Sequence, residues 1–194
     1  MRQRVRFIIT IALLCVVGVL VYYRYSNDTP SKPSSGGENE TTISEVDKLI
    51  NKDLENGYPI TAREVVNLFT RIQKCYYNEE YTQDELVSLS YMATKLFDEE
   101  LLTVNSYDEY YADLQDEIDE YKEAGKTISR VIVDKSSDVV YSTIEGVKYA
   151  SIKVIYYLKT NDATEKTVEV YTLRKDEEDR WKILGWMLYE ESEE

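Results

Sequence analysis

Residues 147–159 read VKYASIKVIYYLK. Ala150, Ile152, Val154, Tyr156 and Leu158 share one parity; Tyr149, Ser151, Lys153, Ile155 and Tyr157 share the other. Successive side chains of a strand point to opposite faces, so this alternation predicts a strand with one buried side. Glu145-Gly146 before it is a tight-turn signal, and Asn161-Asp162 and Asp176 to Asp179 mark the next two turns. Short turns imply antiparallel neighbours. Strands are predicted over 127–134, 138–144, 147–159, 166–174 and 181–189, the first two as one bent strand with a bulge at Ser136-Ser137.

Arranging the last three strands by apolarity gives two faces. One collects Ala150, Ile152, Val154, Tyr156, Leu158, Val168, Val170, Leu184, Trp186 and Leu188, and is expected to meet helices. The other collects Tyr149, Ile155, Tyr157, Tyr171, Leu173, Trp181, Ile183 and Met187, diluted by Ser151, Lys153 and Glu169. That second face is rather apolar for one seen only by water. Tyr149, Tyr157, Tyr171, Leu173, Ile183 and Met187 are therefore the candidate interaction face, for a second copy or a protein partner.

Upstream the period changes to 3.6. Ser44 to Asn56 predicts a helix with Val46, Leu49, Ile50 and Leu54 on one face, ended by Gly57. Three capping boxes follow: Thr61-Ala62-Arg63-Glu64, Thr82-Gln83-Asp84-Glu85 and Ser106-Tyr107-Asp108-Glu109. Each precedes an apolar stripe. The stripes are Val65, Val66, Phe69, Ile72 and Tyr76; Leu86, Leu89, Ala93, Leu96 and Phe97; and Tyr110, Leu114, Ile118 and Tyr121. The expected class is α+β: about four helices packed on a curved antiparallel sheet of four to five strands.

Working outward to the N-terminus, residues 7–23 read FIITIALLCVVGVLVYY, without a charge. They predict a transmembrane helix about 25 Å long, at the short end of the range. Arg2, Arg4 and Arg6 precede it, so residues 1–6 are expected in the cytoplasm and the C-terminal domain outside the cell membrane. The tyrosines and Arg24 that follow fit a signal-peptidase site badly, and Leu14 fits a lipoprotein signal at Cys15 badly. Residues 24–41, rich in Ser, Pro and Gly, form a linker; its two N-x-T sequons carry little weight. The α+β domain is placed over 42–190 and an acidic tail over 191–194.

The helices followed by a sheet, with Thr61-Ala62-Arg63-Glu64-Val65-Val66, Cys75-Tyr76-Tyr77-Asn78-Glu79 and Trp181-Lys182-Ile183-Leu184-Gly185-Trp186, resemble the nuclear-transport-factor-2-like cone fold over about residues 44–190. The nearest likeness is to uncharacterised single-pass proteins of Gram-positive anaerobes. That fold includes dehydratases, isomerases and non-catalytic binding modules, so it implies an architecture and no single activity.

The residue inventory narrows the chemistry. The net charge is −14, although the first 25 residues carry four arginines and no acid. An acidic body repels phosphate backbones, which excludes nucleic acid as the expected partner. With no histidine, Ser-His-Asp, Cys-His and histidine-metal sites are excluded. No phosphate-binding glycine loop is present, and no cofactor or metal is expected. Acid pairs such as Asp98-Glu99, Asp116-Glu117 and Asp119-Glu120 read as solvated helix faces. Cys75, on a helix without a base beside it, reads as a structural thiol. The 18 tyrosines read chiefly as filling of a wide cone, and otherwise as lining of a small-ligand pocket. Two functions follow: a non-catalytic binding or interaction module, or a cone-fold isomerase or dehydratase using a tyrosine and a carboxylate. A filled cone favours the first; a buried carboxylate facing a tyrosine across an open pocket favours the second.

Overall fold

The computed structural model describes residues 43–189. The predicted transmembrane helix, linker and acidic tail lie outside the described residues, among which no helix is long and apolar enough to cross a membrane. Five helices come first: α1 (Glu45–Ile50), α2 (Ala62–Asn78), α3 (Gln83–Thr94), α4 (Glu99–Val104) and α5 (Tyr107–Glu123). Five strands follow: β1 (Thr127–Val133), β2 (Val140–Ile144), β3 (Val147–Lys159), β4 (Thr164–Lys175) and β5 (Trp181–Leu188). The class is α+β, with helices on one side of an open antiparallel sheet.

All three capping boxes are formed, at Thr61, Thr82 and Ser106. In α2, Thr61 Oγ1 accepts from the Glu64 amide at 3.2 Å, and the Thr61 amide donates to Glu64 Oε2 at 2.9 Å. Thr61→Ala should cost about 1 kcal/mol, read as a fall of a few degrees in melting temperature. α1 is shorter than its apolar stripe suggests, ending at Ile50. Asp53 Oδ1 takes the amides of Glu55 and Asn56 at 2.9 and 3.1 Å, so a side-chain turn replaces the last helical turns. Leu54 still reaches the core. The sequence reading also missed α4, one turn and a half capped by the Asp98 carboxylate.

The sheet order is β1-β3-β4-β5, and β2 also pairs with β3. β1 and β2 therefore lie end to end along one edge of β3. Val133 stands opposite Val154, and Val140 opposite Ser151. The expected bend between them is a complete break over 134–139. At Glu145 and Gly146 φ is 52° and 85°, the two left-handed residues that a tight β2–β3 hairpin needs. On the far edge, Ile183 donates its amide to the Leu96 carbonyl and accepts from the Asp98 amide, both at 2.8 Å. This stitch closes the start of β5.

The inner face differs from the expectation. Ala150, Ile152, Val154, Tyr156 and Leu158 are buried as read. In β4, however, Tyr171 and Leu173 face the helices, opposite Ile152 and Ala150, while Val168 and Val170 face out. Reading by apolarity turned this strand over, because it carries Glu169 on the tyrosine parity. That carboxyl can be buried because Tyr171 hydrogen-bonds it. In β5 a bulge shifts the register: Leu173 faces Ile183, yet Thr172 faces Gly185, which leaves Leu184 extra. The bulge lets Trp181, Ile183 and Trp186 all reach the inner side. Trp186 was so placed by the sequence; Trp181 and Ile183 were not.

Candidate functional site

The space under the sheet is filled with tyrosines. Tyr156 donates to Gln73 Oε1 at 2.7 Å, and its hydroxyl lies 2.8 Å from that of Tyr171. Tyr171 donates to Glu169 Oε2 at 2.8 Å. The Tyr76 and Tyr110 hydroxyls are 3.3 Å apart, and the Tyr77 and Tyr121 rings stack at 4.2 Å. Burial raises Glu169 to about 7, against the lowering effect of the Tyr171 hydrogen bond. Glu117 on α5 is raised to about 8, first by burial and further by the charges of Glu169 and Glu120, while Tyr77 and Lys126 hold it down. The Tyr156 and Tyr171 hydroxyls are pushed well above the ordinary phenol value by burial and by Glu169. These groups satisfy one another directly, and Glu169 is only 5% exposed. Cys75 is buried, and burial raises its thiol to about 11, which suits a packing residue and not a nucleophile.

The outer face of the sheet is a different surface. The six residues proposed for it divide. Tyr149 and Tyr157 are half-buried there, and Met187 is 62% exposed; Tyr171, Leu173 and Ile183 are in the core at 0%. Their places on the outer face are taken by Val168, Val170 and Thr172. The pairing sets out three rows across the strands. Arg130, Tyr157 and Lys166 form one; Ile132, Ile155, Val168 and Tyr189 the next; Lys153, Val170 and Met187 the third.

In a chain of net charge −14, every charged side chain that the strands carry on this face is basic: Arg130, Lys153, Lys159, Lys166, Arg174 and Lys182. Arg174 is held by Asp98 and by Glu100 at 3.0 Å, and Lys182 Nζ donates to the Lys95 carbonyl at 2.6 Å. The other four form no ion pair among the described residues. Two of them cover aromatic rings instead, Lys153 on Tyr189 at 4.2 Å and Arg130 on Tyr157 at 5.6 Å. Asp134, just past β1, is turned onto the Lys153 amide.

The sequence reading missed this basic character. Its trace was there, in Lys153, Tyr157 and Lys159 on one parity of β3. Beside β5, a groove of about 190 Å³ is lined by Leu101 and Val104 of α4 and by Val170, Leu184, Trp186 and Met187. It continues the apolar part of the same surface.

Among curated proteins none matches the chain. A family model described as a domain of unknown function, DUF6715, matches residues 1–186, and the chain belongs to that family.

Proposed function

We propose that this protein is a membrane-anchored, extracytoplasmic, non-catalytic interaction module that binds a protein partner through the outer face of its sheet. The observation that carries the reading is that face: unpaired cations set among Tyr157, Val168, Val170 and Met187 on a chain that is otherwise acidic. Mixed aromatic, methionine and arginine surfaces are typical of interface cores. The mutual hydrogen bonding of the tyrosines beneath the sheet supports a filled interior. The uncharged run 7–23 and the arginines before it support the anchor. The order of helices and sheet supports a cone-like domain of the nuclear-transport-factor-2-like type.

Two experiments test it. Protease added to protoplasts should degrade the domain, and the protein should stay in the membrane fraction after an alkaline wash. A protected domain, or a soluble mature form, overturns the anchor and its orientation. Tyr157→Ser with Met187→Glu, in the full-length chain, should abolish co-purification of a partner or a second copy while leaving the melting temperature nearly unchanged. Unchanged partners and unchanged sedimentation overturn the binding face.

The Glu169–Tyr171 pair favours a second reading, an isomerase or dehydratase in which that carboxyl moves a proton. Under it, Tyr171→Phe abolishes a turnover whose pH profile has a limb near 7; under the module reading the substitution changes stability alone.

A further inference from the structure

β4 outruns its neighbour. The β4–β5 pairing ends with Glu169 opposite Leu188, followed by one more bond, from the Tyr189 amide to the Val168 carbonyl at 2.8 Å. Residues 164–167 pair with β3 on one side, and on the other they meet no backbone partner among the described residues. Backbone groups alternate in direction along an antiparallel strand. Since Val168 points toward β5, Lys166 and Thr164 turn their N–H and C=O groups to this open edge. Thr164, Glu165 and Lys166 are exposed. An open edge of this kind is a template for an added strand.

The side chains at the edge select the charge of what is added. Lys166 lies in the row with Tyr157 and Arg130, and Lys159 stands opposite Thr164. On the inner side Glu165 is held by Lys126 at 3.1 Å.

We propose that the open edge of β4 receives an extended acidic segment of a partner protein, with acids at every second residue, as an added strand. This rests on the interaction-module reading above and names the partner's chemistry. The added backbone bonds Lys166 and Thr164. Alternate side chains fall on the outer face, where carboxylates meet Lys166, Lys159 and Arg130. The rest of the molecule, strongly acidic, repels such a segment, so this edge is where it is retained. Residues 190–194 read EESEE and follow β5, which makes them an intramolecular competitor.

The test uses the full-length protein in detergent micelles and a fluorescent peptide alternating Glu and Thr. The comparison peptide has Lys in place of Glu, and binding is read by anisotropy. The acidic peptide should bind and the basic one should not. Binding should weaken by about tenfold or more at about 0.5 M salt, where exposed charges are screened. Lys166→Glu should weaken it by about tenfold or more. Lys166→Pro, which deletes the outward N–H, should do the same. Should that variant fail to fold, an acidic peptide N-methylated at alternate residues supplies the same comparison from the ligand side and should bind weakly. Tighter binding by a chain ended at Tyr189 also supports the proposal, because its competitor is gone. It is overturned if the acidic peptide binds neither chain, if Lys166→Glu leaves binding unchanged, or if the N-methylated peptide binds as well as its parent. Failure here, while Tyr157→Ser with Met187→Glu still loses its partner, removes the acidic strand and leaves the interaction module standing.

Discussion

Trp186→Ala should destabilise the domain by about 3–5 kcal/mol, enough to remove much of a typical domain's stability. The β5 bulge turns the indole inward, where it stacks on Tyr171 at 5.6 Å and meets Phe69 at 5.4 Å and Phe97 at 5.9 Å. Removing it leaves three large rings around a void, and packed interiors relax only partly into a void. Its Nε1, however, is buried with no partner among the described residues, an uncompensated donor. Trp186→Phe keeps a ring in the stack and deletes that donor, so it should cost far less than alanine. Urea unfolding of the two variants checks this. An alanine variant as stable as wild type, or phenylalanine no better than alanine, would show that the ring does not pack under the bulge.

The second large effect is on pH. Glu169 titrates at about 7 in the fold, against an ordinary 4.5. Between those values the folded state binds the proton and the unfolded state does not. Stability is therefore complete below about 4.5 and is lost as pH rises through 7, by about 3 kcal/mol at most. The groups facing Glu169 are Tyr171 on its own strand, Tyr156 on β3, Gln73 on α2 and Glu117 on α5. Glu117 acts with the same sign over a window reaching about 8. Melting temperature should thus fall from pH 5 to pH 8. Glu169→Gln, which cannot ionise, should flatten much of that fall and exceed wild type at pH 8. A variant that follows the wild-type slope would remove Glu169 from the account.

The legible parts of this fold were those written in local chemistry. Capping boxes name helix starts because the interacting groups lie three residues apart, and all three stand as read. The 13 residues of β3 were legible because their alternation runs unbroken. β4 was misread because its two faces are nearly equal in apolarity. What decides between Val168 and Glu169 is a hydrogen bond to Tyr171, which composition does not display. β5 was misread from its start because one extra residue at Leu184 exchanges the faces of everything before it. α4 was missed because six residues are too few to show a period. The candidate face suffered directly: Tyr171, Leu173 and Ile183 were lost to the core, and Lys166, Val168 and Val170 came from the strand that had been turned over.

The break between β1 and β2 separates two regimes of motion. Every β2 side chain is exposed, and only Val139, at 8%, ties the hairpin's entry to the core. Opening Val140–Lys148 away from the body would uncover little apolar area, so it should need much less free energy than global unfolding. The backbone amides of Tyr141 to Ile144 should accordingly exchange with deuterium early, on a timescale set by local opening. Those of Ile152, Val154 and Tyr156, buried under two neighbouring strands, should wait for the whole domain to unfold. One continuous strand would then report two protection factors, with the change falling near Ala150.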